Sequence, residues 1–218
     1  MALTIHGIFA SRAVRPLWTA QELGVPFEHV PTPYQGGATR TTEFLALNPN
    51  GHIPVLVDER PEGRVVVWES MACALYLARH HGRGDGHDIA PANPAEDAEA
   101  LRWAFWAVTE LEADALCVLM HRLGLPPQRR DPDKLAAAEQ RLRVPLRVLE
   151  DHLAARAAQG HAYLAAARFT VADVCVACVA NWARPSHDLM QAFPRVHDWL
   201  QRCHARPAYL ALKEAARR

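Results

Sequence analysis

The run Asn48-Pro49-Asn50-Gly51-His52-Ile53-Pro54-Val55-Leu56-Val57 sets the frame for this 218-residue chain. It opens with turn chemistry: Asn-Pro starts turns, and Asn50-Gly51 supplies residues that tolerate positive φ. It closes with Val55-Leu56-Val57, an apolar β-branched run that reads as a buried strand. Pro54, at the junction, has no N–H to give to a ladder. An X-Pro bond at a tight turn is also where a cis peptide is affordable. A cis bond would turn the backbone N–H and C=O of Ile53 outward, where a short peptide ligand can pair with them as an added strand does. By residue chemistry alone, the run reads first as a turn ahead of a core strand.

Upstream, residues 3–8 form a strand candidate and 9–11 a loop. Residues 13–23 read as a helix with Val14, Leu17, Trp18 and Leu23 on its apolar stripe, stopped by Gly24. Residues 27–31 are the next strand, which makes a βαβ unit with parallel strands. A loop over 33–39 and a short helix over 42–47 lead into the quoted run. Residues 54–58 and 65–68 are predicted strands joined by a hairpin loop over 59–64. A helix over 70–81 follows, opened by Glu69-Ser70. This order resembles the thioredoxin-like arrangement. Residues 82–94, with alternating glycines and then prolines, read as a linker. Beyond it only helical patterns occur, at 94–121, 131–158 (with Pro145 inside), 170–182, 194–204 and 207–216. In the first of these, Leu101, Phe105, Val108, Leu111 and Leu119 are the predicted core positions. The fold class is therefore α/β plus all-α, with domains at 1–81 and 95–218.

Composition narrows the function. Lys+Arg and Asp+Glu are 24 each, so no global field collects nucleic acid or anionic lipid. No apolar run approaches the roughly 20 residues of a membrane span, and the N-terminus lacks the pattern of a signal peptide. An odd set of cysteines (Cys73, Cys117, Cys175, Cys178, Cys203) in apolar helical contexts points to free thiols in a reducing cytosol. Cys175 and Cys178 lie inside a helical pattern with no turn before them, so buried structural thiols are expected rather than a redox pair. His80, His81 and His87 border a glycine-rich segment that fixes no geometry, so solvated histidines are expected and no metal.

Several segments, in order, carry a resemblance: Ser11-Arg12-Ala13-Val14-Arg15, Gly24-Val25-Pro26-Phe27-Glu28, Phe44 through Leu56, Trp68-Glu69-Ser70, Thr170-Val171-Ala172-Asp173 and Phe193-Pro194-Arg195-Val196. Together they resemble the cytosolic glutathione transferase family, in a bacterial, serine-type form, over nearly the whole chain. The resemblance implies a thioredoxin-like N-terminal domain followed by an all-helical C-terminal domain. Ser11 would be the catalytic hydroxyl. Ile53, before Pro54, would pair its backbone with the cysteinyl unit of glutathione, and His52 would lie near the glycyl end. Glu69 would meet the γ-glutamyl amine, and Ser70 with the helix N-terminus would hold the γ-glutamyl carboxylate. Glutathione would serve as co-substrate without a metal, in a cytoplasmic homodimer engaged in detoxification. His52 stands where many relatives have Lys. The absence of cysteine at 9–11 counts against members that form mixed disulfides with glutathione.

The chemistry closes by magnitude. The nucleophile is the thiolate, and a free thiol has a pKa of about 8.5. Lowering it by about two units takes roughly 3 kcal/mol. A hydrogen bond from Ser11 supplies about 1.5–3 kcal/mol, and a helix N-terminus about 0.3–2. The residues also have structural readings: Ser11 as a helix cap, Glu69-Ser70 as a cap with an acid on the dipole, and Thr170/Asp173 as a capping box. Trp103, Trp106, His121 and Tyr209 are candidates for the wall of an electrophile pocket, for core, or for a dimer interface. The function expected is conjugation of glutathione to a small apolar electrophile. The alternatives are a non-catalytic glutathione- or ligand-binding protein, a glutathione-dependent reductase or isomerase, and an interaction module that has lost glutathione.

Overall fold

The computed structural model describes residues 2–217. They divide into two compact units. One holds the residues up to Ala92 together with those from Arg206 on, the other Asn93–Ala205.

The first unit is built on a four-stranded sheet. Its elements are β1 (Ala2–His6), α1 (Val14–Leu23), β2 (Glu28–Val30), a 3-10 turn at Ala38–Arg40, α2 (Thr42–Leu47), β3 (Val55–Arg60), β4 (Gly63–Trp68) and α3 (Ser70–His81). The strand order is β2-β1-β3-β4. β1 and β2 are parallel, as the βαβ reading requires, and β3 runs antiparallel to both β1 and β4. β3 serves both faces, because successive side chains alternate. Leu56 joins Leu3, Ile5, Leu17, Cys73 and Leu77 on the side of α1 and α3, and Val55 and Val57 pack with Phe44 on the other. The hairpin is tighter than the expected loop over 59–64. Glu59 pairs with Arg64 and Arg60 with Gly63, so only Pro61 and Glu62 turn the chain. Charged residues hid this end of the ladder, which needs only backbone groups to continue.

The last helix, α10 (Pro207–Ala215), belongs to this unit and not to the helical domain expected over 95–218. Tyr209 packs on Trp18 and Phe9, with centroids 4.7 and 5.7 Å apart. Arg206 forks onto both carboxylate oxygens of Glu22 at 2.7 Å. The segment 82–92 is likewise packed rather than loose. Ile89 and Ala90 are buried, and a Cβ on Gly82 would strike Ala90 and the Ala78 carbonyl.

The second unit is helical. α4 (Pro94–Trp106) continues through a π-helical turn, Ala107–Leu111, into α5 (Glu112–Leu119) and a second π-helical turn, Met120–Gly124. α6 (Pro132–Ala158), α7 (Val171–Ala180), α8 (His187–Gln191) and α9 (Pro194–His204) follow. α8 has no counterpart among the expected helices. Asn93 and Asp131 cap α4 and α6 by accepting first-turn N–H groups. Every residue of α7 is buried, as its apolar composition predicts. The α4 core differs from expectation. Phe105 (64 %) and Val108 (37 %) are exposed, while Ala100, Trp103, Ala104, Ala107, Leu111, Ala115 and Val118 are buried. The inward stripe is made largely of alanines, which permit close helix approach and carry little hydrophobic signal of their own. Among the described residues no helix is long and apolar enough to cross a membrane.

Candidate functional site

Sheet register brings the candidate residues together. His6, the last residue of β1, pairs with Val55, the first of β3, and Val55 pairs with Trp68, the last of β4. The segments that leave these strand ends therefore emerge on one side: the 7–11 loop, Ile53-Pro54 and Glu69-Ser70. Gly7 fits between them. A Cβ there would fall 2.5 Å from Cβ of Ala13 and 3.4 Å from Cβ of Ile53.

The loop before β3 is pinned by Asn48, which is buried. Its Oδ1 accepts from the N–H and the side-chain amide of Asn50 at 3.0 and 3.1 Å, and its Nδ2 donates to the His52 carbonyl at 2.8 Å. Gly51 has φ 61°, and a Cβ would meet Arg40 Nη1 at 2.6 Å and the Thr39 carbonyl at 2.8 Å. Arg40 donates to the Asn50 carbonyl at 3.3 Å, which puts an exposed guanidinium over this loop. The Ile53-Pro54 bond is cis. Ile53 is half-buried and Pro54 buried, while the His52 side chain is exposed.

Ser11 is tied into its own loop. Its hydroxyl donates to the Ile8 carbonyl at 2.6 Å and accepts the Ala13 N–H at 3.1 Å. A hydroxyl has one proton, and in this conformation it goes to Ile8.

The N-terminus of α3 is different. Glu69 is the only non-glycine with positive φ among the described residues, at 71°. It precedes the helix without a side-chain cap bond, and its carbonyl accepts the Cys73 N–H at 2.9 Å. Ser70 is buried, and its Oγ accepts from Arg15 Nη1 at 2.6 Å. Arg15 comes from α1 and is 1 % exposed. The sequence reading singled out Ser70 but not Arg15, whose partner lies far away in the chain.

Other candidates resolve into structure. At the far end of β3, buried Asp58 Oδ2 receives Arg60 Nε at 2.6 Å, His81 Nε2 at 2.8 Å and the Tyr76 hydroxyl at 2.9 Å. Burial pushes this carboxyl up, but those hydrogen bonds more than offset it and hold it below its usual range. His81, expected in solvent, is thus a packed partner. Cys175 and Cys178 are buried in α7 and form no disulfide. Burial also raises the Cys73 thiol, which serves as core. Trp103 stacks edge-on with Trp106 at 5.0 Å and against His152 at 4.7 Å. His121 Nδ1 accepts the Asp131 N–H at 2.8 Å. Each of these, like Tyr209, already has a packing or capping partner within its own unit. Among the described residues no group of three or more His, Cys, Asp or Glu is placed to hold a metal ion.

A thioredoxin-like unit with this strand-end cluster, together with a separate helical unit, defines a class that the comparisons identify. The family described as Glutathione S-transferase, N-terminal domain matches residues 10–80, and the Glutathione S-transferase, C-terminal domain matches 132–202. Glutathione S-transferase 3 of Zea mays is 32% identical over 217 residues, covering 95% of this chain and 91% of that protein. The chain belongs to the glutathione S-transferase family. Glutathione S-transferase GstB of Escherichia coli K12 is 34% identical over 122 residues, and the match spans 56% of each protein. Elongation factor 1-gamma 2 of rice is 34% identical over 179 residues, which is 82% of this chain and 40% of that protein. Among solved structures, glutathione S-transferase III in its apo form aligns with a TM-score of 0.81 at 31% identity, covering 99% of this chain and 97% of that one. Ure2p in complex with glutathione aligns with a TM-score of 0.82 at 21% identity, over 97% and 93%.

Proposed function

We propose that this chain binds glutathione at the shared end of β1, β3 and β4 and conjugates its thiolate to a small apolar electrophile. The observation that carries the reading is the convergence of the Ser11 loop, the cis Ile53-Pro54 segment and the uncapped N-terminus of α3. Ile53 offers its backbone to the cysteinyl unit, Glu69 a carboxylate to the γ-glutamyl amine, and Ser70 with the first-turn N–H groups an anion site for the γ-glutamyl carboxylate. Exposed His52 offers a ring N–H, and the neighbouring Arg40 positive charge, to the glycyl carboxylate.

For catalysis, the Ser11 proton must leave the Ile8 carbonyl and turn to sulfur. The exchange gives up a neutral hydrogen bond of about 1 kcal/mol for one of about 1.5–3 kcal/mol to an anion, so a bound thiolate favours it. The Ala13 N–H can keep Oγ in place throughout. A cytoplasmic homodimer is part of this reading, on the family's precedent. A second reading, glutathione binding without turnover, is favoured by one observation: the Ser11 proton is already committed to Ile8.

Ultraviolet difference spectra at neutral pH separate the two. Glutathione added to wild type should produce a thiolate band, and Ser11→Ala should abolish it and slow chloronitrobenzene conjugation by about 10- to 100-fold. Binding with no band supports the second reading. No binding removes both.

A further inference from the structure

The buried guanidinium of Arg15 has a job at the proposed glutathione site, and this inference rests on that reading. A guanidinium only donates, so Ser70 Oγ is the acceptor in the 2.6 Å contact, and the single proton of Ser70 is left over. Ser70 is the first residue of α3, where the first-turn N–H groups have no intrahelical partners. No cap side chain occupies them. Ser11 offers the contrast within the same unit: its proton is spent on Ile8.

We infer that Arg15 is a positioning residue that orients the Ser70 hydroxyl proton outward, toward the γ-glutamyl carboxylate. It acts through Ser70 and touches no ligand itself. Three effects combine. Acceptance from a fixed fork sets the rotamer of Ser70. Accepting from a cation makes the hydroxyl a stronger donor, because hydrogen bonds in a chain polarise one another. A charge 1 % exposed is weakly screened, so it adds to the positive end of the helix dipole.

The test is a double-mutant cycle read by isothermal titration of full-length protein with reduced glutathione, each variant first checked for its melting transition. Arg15→Met and Ser70→Ala should each weaken glutathione about tenfold or more, and the double variant should be no weaker than the worse single. Arg15→Lys keeps a charged donor and should recover most of the loss, whereas a packing role would treat Lys and Met alike. Arg15→Gln is a second neutral variant if Met prevents folding. A Kd within twofold of wild type in whichever neutral variant folds would overturn the assignment, as would losses that simply multiply in the double variant. Failure of wild type itself to bind glutathione would instead remove the site reading on which the inference depends.

Discussion

Two helix N-termini, that of α3 in the first unit and that of α7 in the second, are finished in opposite ways. At α7, Thr170 has extended backbone, φ −135°, and forms a reciprocal capping box with Asp173. Asp173 is fully buried and accepts from the Leu164 and Thr170 N–H groups, the Thr170 hydroxyl and Trp199 Nε1 at 2.9–3.2 Å. Its valences close inside the protein. At α3, Glu69 holds a backbone conformation costly for a non-glycine, no side chain caps the helix, and Ser70 is held from behind by Arg15. The closed cap serves folding. The open one, with a strained Glu69 ahead of it and a buried cation behind it, is the end that the proposed glutathione site uses.

The largest expected effect comes from breaking the closed end. Asp173→Ala leaves the Leu164 and Thr170 amides and the Trp199 ring N–H unpartnered at about 1–3 kcal/mol each. Urea denaturation should show a loss of roughly 3–5 kcal/mol, with glutathione affinity of the folded fraction unchanged. An unaltered melting temperature with reduced activity would reverse the comparison. Ser70→Ala should act mainly on binding: about a tenfold weaker glutathione Kd, with a stability loss of about 1–3 kcal/mol from the acceptor taken away from buried Arg15, smaller than that of Asp173→Ala. A smaller and more diagnostic change is Glu69→Gly. It relieves the positive φ, so stability should rise by less than about 1 kcal/mol, while titration calorimetry should show glutathione binding weakened severalfold.

Acid titration sharpens the contrast through two buried carboxyls. Asp58 has its folded pKa below its unfolded value, so its contribution is present above about pH 4 and fades as pH falls through the folded value. Asp173 is pushed the other way, by burial working against its donors, so its ionisation costs stability as pH rises past the unfolded value. Melting temperatures of Asp58→Asn should rise less steeply than wild type from about pH 2 to 5. An unchanged slope would show that the Asp58 cluster carries no linkage.

How much of this was legible in the sequence follows from range. The Asn48–Val57 turn and strand, the βαβ unit, the Thr170/Asp173 box and the buried α7 all rest on local chemistry or short periodicity, and each is found. Ser11, Ile53 and Glu69-Ser70 were candidates through the family resemblance, and the register explains why the segments that carry them leave the sheet at one end. What was missed depends mostly on partners distant in the chain: Arg15 meets Ser70 across the unit, and His81 turns back to Asp58. Asn48 pins its own loop through a side-chain amide, a local bond that turn composition does not specify. The α4 stripe was misplaced because alanines buy close packing without announcing it. The Ser11 proton was beyond any sequence pattern, since a hydroxyl rotor is decided by the nearest acceptor.

The placement of α10 has a consequence for biogenesis. The α/β unit is begun before the helical unit is translated, yet Trp18, Phe9 and Glu22 gain Tyr209 and Arg206 only after it. The unit that the chain starts before the helical one is thus completed only after every residue of the helical unit has been translated. A nascent chain stalled near Ala205 would hold an unfinished face around Trp18 that a chaperone could recognise.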